Sequence, residues 1–300
     1  MDKILEVKNL KKEYKDFSLE NINFQLDRGY IMGFIGPNGS GKSTTIKLIM
    51  NLIKKDSGDI KIFGMDNIRH EKEVKEKIGF VYDENYFYDH VNIETMKKII
   101  ASFYKGWSDK IFNKYLKTFD LDPKKKIKNL SKGMKMKFSL ALALSHNAEL
   151  IIMDEPTAGL DPVFRREILD ILYDLIQDEN KSVFFSTHIT TDLEKIADYI
   201  TFINKGKMVF SENKDEVMEK YALVKGGIDF LNEETKKYFL GINKNSFGFE
   251  GLTTSANIIK EITKKGRTYN RKTKLRGYYG LYSKGGGINA KFNKKGFNYY

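Results

Sequence analysis

The feature that most constrains this chain is the run GPNGSGKST at residues 36–44. Gly36, Gly39 and Gly41 alternate with Asn38 and Ser40, and Lys42, Ser43 and Thr44 follow directly. Glycine reaches backbone conformations closed to other residues, so such a run can turn its N–H groups inward around an anion. An apolar stretch at 30–35 precedes the run, and helical spacing over 43–52 follows it. Strand, glycine loop and helix start, in that order, match the phosphate-loop pattern G-x-x-x-x-G-K-[ST]. The helix points its positive end at the same place. Lys42 is placed to reach the β- and γ-phosphates of a nucleotide, and the Ser43 hydroxyl to ligate Mg²⁺. An ordinary glycine-rich turn would explain the glycines but not the strand before and the helix after.

A second signal is LIIMDE at 150–155. An apolar strand delivers two carboxylates at its C-terminal end, where ligands collect in open α/β sheets. Adjacent carboxylates repel unless a cation lies near them. Asp154 is therefore expected to serve Mg²⁺, through water, and Glu155 to polarise an attacking water. The plain alternative is an acid pair at a helix N-terminus, since Pro156 follows.

The rest of the chain supplies a scaffold for such a site. Residues 3–9 and 17–26 read as strands, as do the short runs 59–63 and 78–82. From about 93 to 144 the apolar spacing is mainly helical, which predicts a helical subdomain over about 93–146. A helix is expected at 164–176, a strand at 182–185, a helix at 192–197, and strands at 200–203 and 207–210 around a Lys205-Gly206 turn. Alternating strands and helices imply an α/β fold with a largely parallel core sheet. An antiparallel β subdomain at the N-terminus and a small α+β region at 223–263 complete the expected architecture.

Composition removes several function classes. The chain has no cysteine, which excludes disulfides, Fe–S clusters and thiolate zinc sites. Its four histidines form no obvious metal cluster. No stretch approaches the roughly 18–20 apolar residues of a membrane-spanning helix, and the start MDKILEVKNL lacks the long apolar segment of a secretory signal. A soluble, intracellular chain is expected. The net charge of +12 suggests nucleic acid, but residues 264–300 hold eleven Lys/Arg and no acid, leaving the first 263 residues at +1. The basicity belongs to a tail, so no nucleic-acid partner is expected. The runs KEVKEK at 72–77 and KKK at 124–126 read as solvated faces.

A third signal points to the family. Residues 130–134 read LSKGM and precede the Asp154 strand by a short helical stretch. Alone, Ser131 would be an ordinary helix N-cap. Beside the first two motifs, LSKGM resembles the LSGGQ signature of ATP-binding cassette proteins, with Lys132 and Met134 in place of Gly and Gln. The resemblance spans residues 1 to about 222. It implies a P-loop NTPase cassette that binds ATP with Mg²⁺ and hydrolyses it. Ser131 and Gly133 would complete the site of a second ATPase subunit, the same or a related chain. Tyr14 matches the aromatic residue that stacks on adenine, though a core tyrosine is the plain alternative. The run Gly159-Leu160-Asp161-Pro162 matches the loop along the dimer interface, and a turn into the next helix would serve as well. His188, after VFFST, matches the switch histidine that contacts the γ-phosphate.

One position departs from the pattern. The family carries a glutamine after the strand at 78–82, where this chain has Asp83. A carboxylate there can still bind Mg²⁺ or orient water. The wording GFVYDENYFYDH at 79–90 resembles exporters of the antibiotic- and peptide-efflux type. That implies a motor subunit on the cytoplasmic face of the membrane, working with an integral membrane permease on a separate chain. A soluble cassette ATPase of the translation or repair class is the other reading. Such translation factors carry two cassettes in one chain and repair members carry long coiled coils or zinc modules, none of which is legible here. A kinase or GTPase would lack the signature.

The tail from 264 is rich in Lys, Gly, Tyr and Asn and shows no period. Written in AT-rich codons and displaced by one base, residues 271–286 begin Glu-Lys-Pro-Asn-Leu-Glu-Asp-Ile-Met-Val-Tyr. That string resembles the C-terminal wording of the same exporter group, near EKPSLEDIMVYY. It is acidic and amphipathic, as the end of a folded appendage would be, and the tail as it stands is neither. A disordered basic tail is the alternative.

Overall fold

The computed structural model describes residues 2–83, 87–239, 241–246, 248–254 and 269–272. The chain divides into two compact units, one of residues 1–192 with 196–211, the other of 212–300 with 193–195.

The first unit opens with β1 (Lys3–Glu13) and β2 (Ser18–Asp27), an antiparallel pair interrupted by register shifts. Asn9 and Asn21 sit at these irregularities with φ of 50° and 52°. Asparagine tolerates that left-handed conformation better than most residues do. The strand β3 (Ile31–Ile35) is buried throughout and runs into the glycine loop and α1 (Lys42–Ile49). The spacing predicts a helix to 52, but the chain leaves it at Met50, and Asn51 follows at φ 49°. The next elements are β4 (Ser57–Ile62), β5 (Met65–Asp66), α2 (Glu71–Glu76) and β6 (Ile78–Val81). The charged run at 72–77 therefore lies mostly on a one-turn-scale helix, anchored by the buried Val74.

Between β6 and the acid-bearing strand the chain is helical, as expected. Here α3 (Ile93–Ala101), α4 (Asp109–Thr118) and α5 (Lys132–Ala143) each start at a side-chain cap. Asn92, Ser108 and Ser131 accept from the backbone N–H of Thr95, Ile111 and Met134. Such a bond supplies one of the donors a helix start leaves unsatisfied. Phe112, Phe119 and Phe138 are buried among these helices.

The remaining elements of the first unit are β7 (Leu150–Asp154), α6 (Pro162–Leu175), β8 (Ser182–Thr187), α7 (Thr190–Ile196), β9 (Tyr199–Asn204) and β10 (Lys207–Asn213). The large sheet runs β5-β4-β1-β2-β10-β9-β3-β8-β7-β6. Pairs β9–β3, β3–β8, β8–β7 and β7–β6 are parallel, whereas β2–β1, β1–β4 and β4–β5 are antiparallel. The parallel strands β3, β7 and β8 are buried at every residue, which is why their centres read as apolar runs rather than alternating ones. In the core, the rings of Phe24 and Phe184 stack with centroids 5.5 Å apart, and Phe34 lies 5.4 Å from Phe184. The parallel order brings the C-terminal ends of β3, β7 and β8 side by side, and those ends carry Gly36, Asp154 and Thr187-His188.

The second unit holds α8 (Lys214–Lys220), β11 (Ala222–Gly226), α9 (Glu233–Lys236), β12 (Gly241–Asn245), β13 (Gly248–Thr253) and β14 (Tyr269–Lys272). Its sheet runs β12-β13-β11-β14, with Val224, Phe239 and Phe249 as a small core. The reading of 264–300 as a disordered or frame-displaced tail lies outside the described residues, apart from β14. That strand pairs antiparallel with β11 from Ala222 to Lys225.

Candidate functional site

The glycine loop owes its shape to contacts that leave no room for side chains. A Cβ at Gly36 would stand 2.4 Å from the Ile203 carbonyl oxygen and from Ser40 Oγ. Gly41 has φ 110° and crowds Leu19 and Phe17. It caps α1 with no side-chain bond, and no acid occupies the first helical turn. The N–H groups at the start of α1 are therefore left to the positive end of the helix, which attracts anions. Ser40 Oγ is buried without a hydrogen-bond partner. Lys42 is 6% exposed; its ammonium donates to the Gly36 carbonyl at 2.8 Å and lies 3.1 Å from Glu155 Oε1.

Asp154 and Glu155 are oriented by a residue the sequence did not single out. Ser186 lies opposite Asp154 in the β7–β8 register. Its hydroxyl donates to Asp154 Oδ1 at 2.5 Å and accepts from the Glu155 N–H at 3.0 Å. The chain turns there: Glu155 adopts φ 49°, a left-handed conformation that costs a non-glycine residue roughly 1–2 kcal/mol. The Glu155 carboxylate reaches His188, whose Nδ1 lies 2.7 Å from Oε2. Burial pushes the Asp154 carboxyl above its ordinary value, and the charge of Glu155 adds to this. Hydrogen bonds from Ser186 and Ser43 and the Lys42 ammonium oppose it.

These groups surround a cleft of about 730 Å³. Asn38, Gly39, Gly41, Lys42, Ser43, Thr44, Asp83, Glu155 and His188 line it, so the structure brings together most of the predicted site. Asp16, Phe17 and Ala158 line it too and were not foreseen. Gly36 and Ser40 lie behind the lining and shape the loop. Tyr14 is 45% exposed, near Phe17 with centroids 6.5 Å apart, and is not among the lining residues.

Ser131, Gly133 and Asp161 are likewise absent from the lining. Ser131 Oγ caps α5 by accepting from the Met134 N–H at 3.2 Å, which leaves its hydroxyl hydrogen free to donate. Asp161 caps α6, accepting from the N–H groups of Val163 and Phe164 at 3.0 and 2.9 Å. A Cβ at Gly133 would make only ordinary contacts at 3.9 Å. Nothing within the monomer therefore demands glycine at that position. The loop between β7 and α6 is held from beneath by Asp192, which is fully buried. Asp192 accepts from Thr157 Oγ1 at 2.7 Å and from Arg165 Nε at 2.7 Å. No sequence motif announced this network, because its members lie 27 and 35 residues apart.

A glycine loop between a buried parallel strand and a helix, with Lys42 and an acid pair converging on it, defines a P-loop nucleoside triphosphatase. Comparison with known proteins narrows this. Residues 19–158 match the family described as ABC transporter. The chain is 34% identical over 214 residues to the bacitracin transport ATP-binding protein BcrA of Bacillus licheniformis, covering 70% of this chain and 69% of that one. It is 33% identical over 229 residues to the lantibiotic transport ATP-binding protein SrtF of Streptococcus pyogenes, covering 73% and 98%. Among solved structures, the dimeric post-hydrolysis state of the ATP-binding cassette MJ0796 bound to ADP and Pi superposes with a TM-score of 0.62. That match has 25% identity and covers 70% of this chain and 98% of the other. The chain belongs to the ABC transporter family, as an ATP-binding, ATP-hydrolysing subunit that powers transport.

Proposed function

We propose that this chain is the motor of a bacterial exporter of the antibiotic- and peptide-efflux type. Its similarity to the bacitracin transport subunit BcrA and the lantibiotic transport subunit SrtF supports that reading. Among the described residues no helix is long and apolar enough to cross a membrane. The motor would work with an integral membrane permease on a separate chain. The motor would sit at the cytoplasmic face, with no nucleic-acid partner. Residues 1–222 form the ATPase domain in this reading, with the helical subdomain at about 93–146 and an accessory region at 223–263.

The observation that carries the chemistry is Glu155, held between Lys42 at 3.1 Å and His188 at 2.7 Å. Triphosphate entering the loop takes over Lys42 and the open N–H groups of α1. Glu155 is then released from Lys42 and is free to accept a proton from water as that water attacks the γ-phosphate. His188 stays on Glu155 Oε2 and orients it, with its other ring nitrogen available to the phosphate. Phosphoryl transfer asks mainly for positioning and charge stabilisation, and these residues supply both.

Mg²⁺ fits the same place. Ser43 is hydrogen-bonded to Asp154, a carboxylate whose pKa burial raises. A hydroxyl and one carboxylate, beside phosphate oxygens, suit this ion. Ser43 and Asp154 would hold it, with Asp83 in reach of the same cleft, and when bound it would neutralise charge on the phosphates. Ser131 and Gly133, with Asp161, would face the nucleotide of a second subunit; the dimeric form of the MJ0796 cassette supports the pairing of two subunits. Tyr14 remains the residue proposed for adenine.

The test is Glu155→Gln. Hydrolysis should fall by about 10²–10⁴-fold, the usual worth of a general base. ATP should stay bound and the protein should elute as a dimer in its presence. Hydrolysis near the wild-type rate would contradict the assignment.

A further inference from the structure

The chain departs from the family wording at Asp83, where glutamine is usual, and at Lys132, where glycine is usual. In the fold these two residues meet: Lys132 Nζ lies 3.2 Å from Asp83 Oδ1. The Asp83 oxygen is out of contact with water and has no aligned hydrogen-bond donor, so the ammonium is its charge partner. Lys132 is the first residue of α5, directly after Ser131, and its ammonium also lies 3.7 Å from the position a Cβ on Gly159 would take. Asp83 lines the nucleotide cleft with Lys42, Ser43 and Glu155. One carboxylate therefore borders the nucleotide cleft on one side and the start of the signature helix on the other. Lys135, a turn further along α5, reaches Asp89 at 3.4 Å. Either substitution alone would leave a lone charge beside phosphate-binding machinery, whereas together they neutralise each other.

We propose that Asp83 and Lys132 form a latch that positions the signature helix. In the free subunit Lys132 is held by its own Asp83. On dimerisation it exchanges that carboxylate for the triphosphate bound to a second copy, which carries more negative charge and attracts it more strongly. This rests on the composite-site reading above. Lys132 is thus a positioning residue for Ser131, and its release is linked to nucleotide on the facing subunit.

Two measurements test the latch. The first uses nucleotide-free protein and reads the labelling rate of Lys132 by an amine-reactive anhydride, using mass spectrometry. An exposed ion pair protects its lysine modestly, so Asp83→Gln should speed labelling at Lys132 by about 1.5- to 5-fold while other lysines are unchanged. The second reads the protein concentration that gives half-maximal ATPase activity, separately from kcat. Asp83→Gln should lower it by a similar factor of about 1.5 to 5 when residue 132 is Lys, and leave it unmoved in a Lys132→Gln background. Equal labelling of Lys132 in wild type and Asp83→Gln overturns the proposal. So does a concentration shift of the same size in both backgrounds. If ATP-loaded Glu155→Gln stays monomeric, the composite-site reading fails instead, and the labelling experiment still decides whether the pair exists.

Discussion

The nucleotide cleft and the signature region belong to one unit but are built in opposite ways. In the cleft, polar groups are left with unmet demands. Ser40 Oγ has no partner, Asp154 is pushed toward protonation, and Glu155 holds a left-handed backbone. At the signature, the equivalent groups are satisfied locally: Ser131 and Asp161 each cap a helix, and Gly133 touches nothing closely. A site that stores strain and desolvation is poised for a ligand of its own, and such features collect at functional positions. The signature's helix starts, with an uncrowded glycine between them, carry no such unmet demand within the monomer, which suits the proposed role toward a second subunit. Sequence motifs look equally strong in both places, but only the cleft carries the physical marks of a binding site within one chain.

Three perturbations would break or sharpen this contrast. The largest concerns the support beneath the cleft. Asp192→Ala would leave the buried Thr157 hydroxyl without its acceptor and Arg165 with only the Thr191 hydroxyl. Leaving a buried donor unsatisfied costs about 1–3 kcal/mol, so urea unfolding should show a loss of that size. A loss under about 1 kcal/mol would mean that the loop carrying Glu155 is held elsewhere, since exposed pairs are worth that little.

The second concerns pH at the far end of the signature helix. His146 is buried, stacked on Tyr104 at 3.8 Å, with Nε2 3.0 Å from the Ile78 carbonyl oxygen. Burial depresses its pKa below 6.5, against the raising effect of hydrogen bonds to Ile78 and Leu142. The unfolded chain takes up a proton that the folded one refuses, so this residue's share of stability is whole above about pH 6.5 and is lost as pH falls below it. One proton gives at most about 1.4 kcal/mol per pH unit. Thermal unfolding between pH 7.5 and 5.5 should show this step in wild type and lose it in His146→Asn. An unchanged step would place its origin elsewhere.

The smallest concerns the capped surface. Asp161→Ala removes the acceptor for two N–H groups at the start of α6, a loss of about 1 kcal/mol in stability. ATP affinity of the isolated subunit should not move. A fall in that affinity would bring Asp161 into the chain's own cleft and erase the contrast.

Much of this was legible because the chemistry is local. The loop at 36–44 and the acids at 154–155 announce themselves by backbone geometry and strand periodicity, and both lie where the parallel order places them. What could not be read depends on register and long-range pairing. Ser186 matters only because β8 sets it opposite Asp154. Arg165 and Asp192 are unremarkable until α6 and the start of α7 bring them within 2.7 Å. Phe17 lines the cleft while the more conspicuous Tyr14 stays outside the lining, a distinction the sequence does not carry. The helix at 71–76 holds one buried apolar residue, too few to reveal a period. The strand β14 sits in a stretch with no alternation, since pairing along an edge needs only backbone.

The central claim is that this chain's own cleft binds nucleotide while its signature serves a second subunit. It is tested most directly by titrating ATP into dilute, monomeric Ser131→Arg and Lys42→Ala proteins side by side and measuring hydrolysis of the former at high concentration. The account predicts wild-type affinity for Ser131→Arg with hydrolysis abolished, and affinity lost for Lys42→Ala, whose ammonium sits inside the loop. Loss of ATP affinity in Ser131→Arg as large as in Lys42→Ala would contradict it.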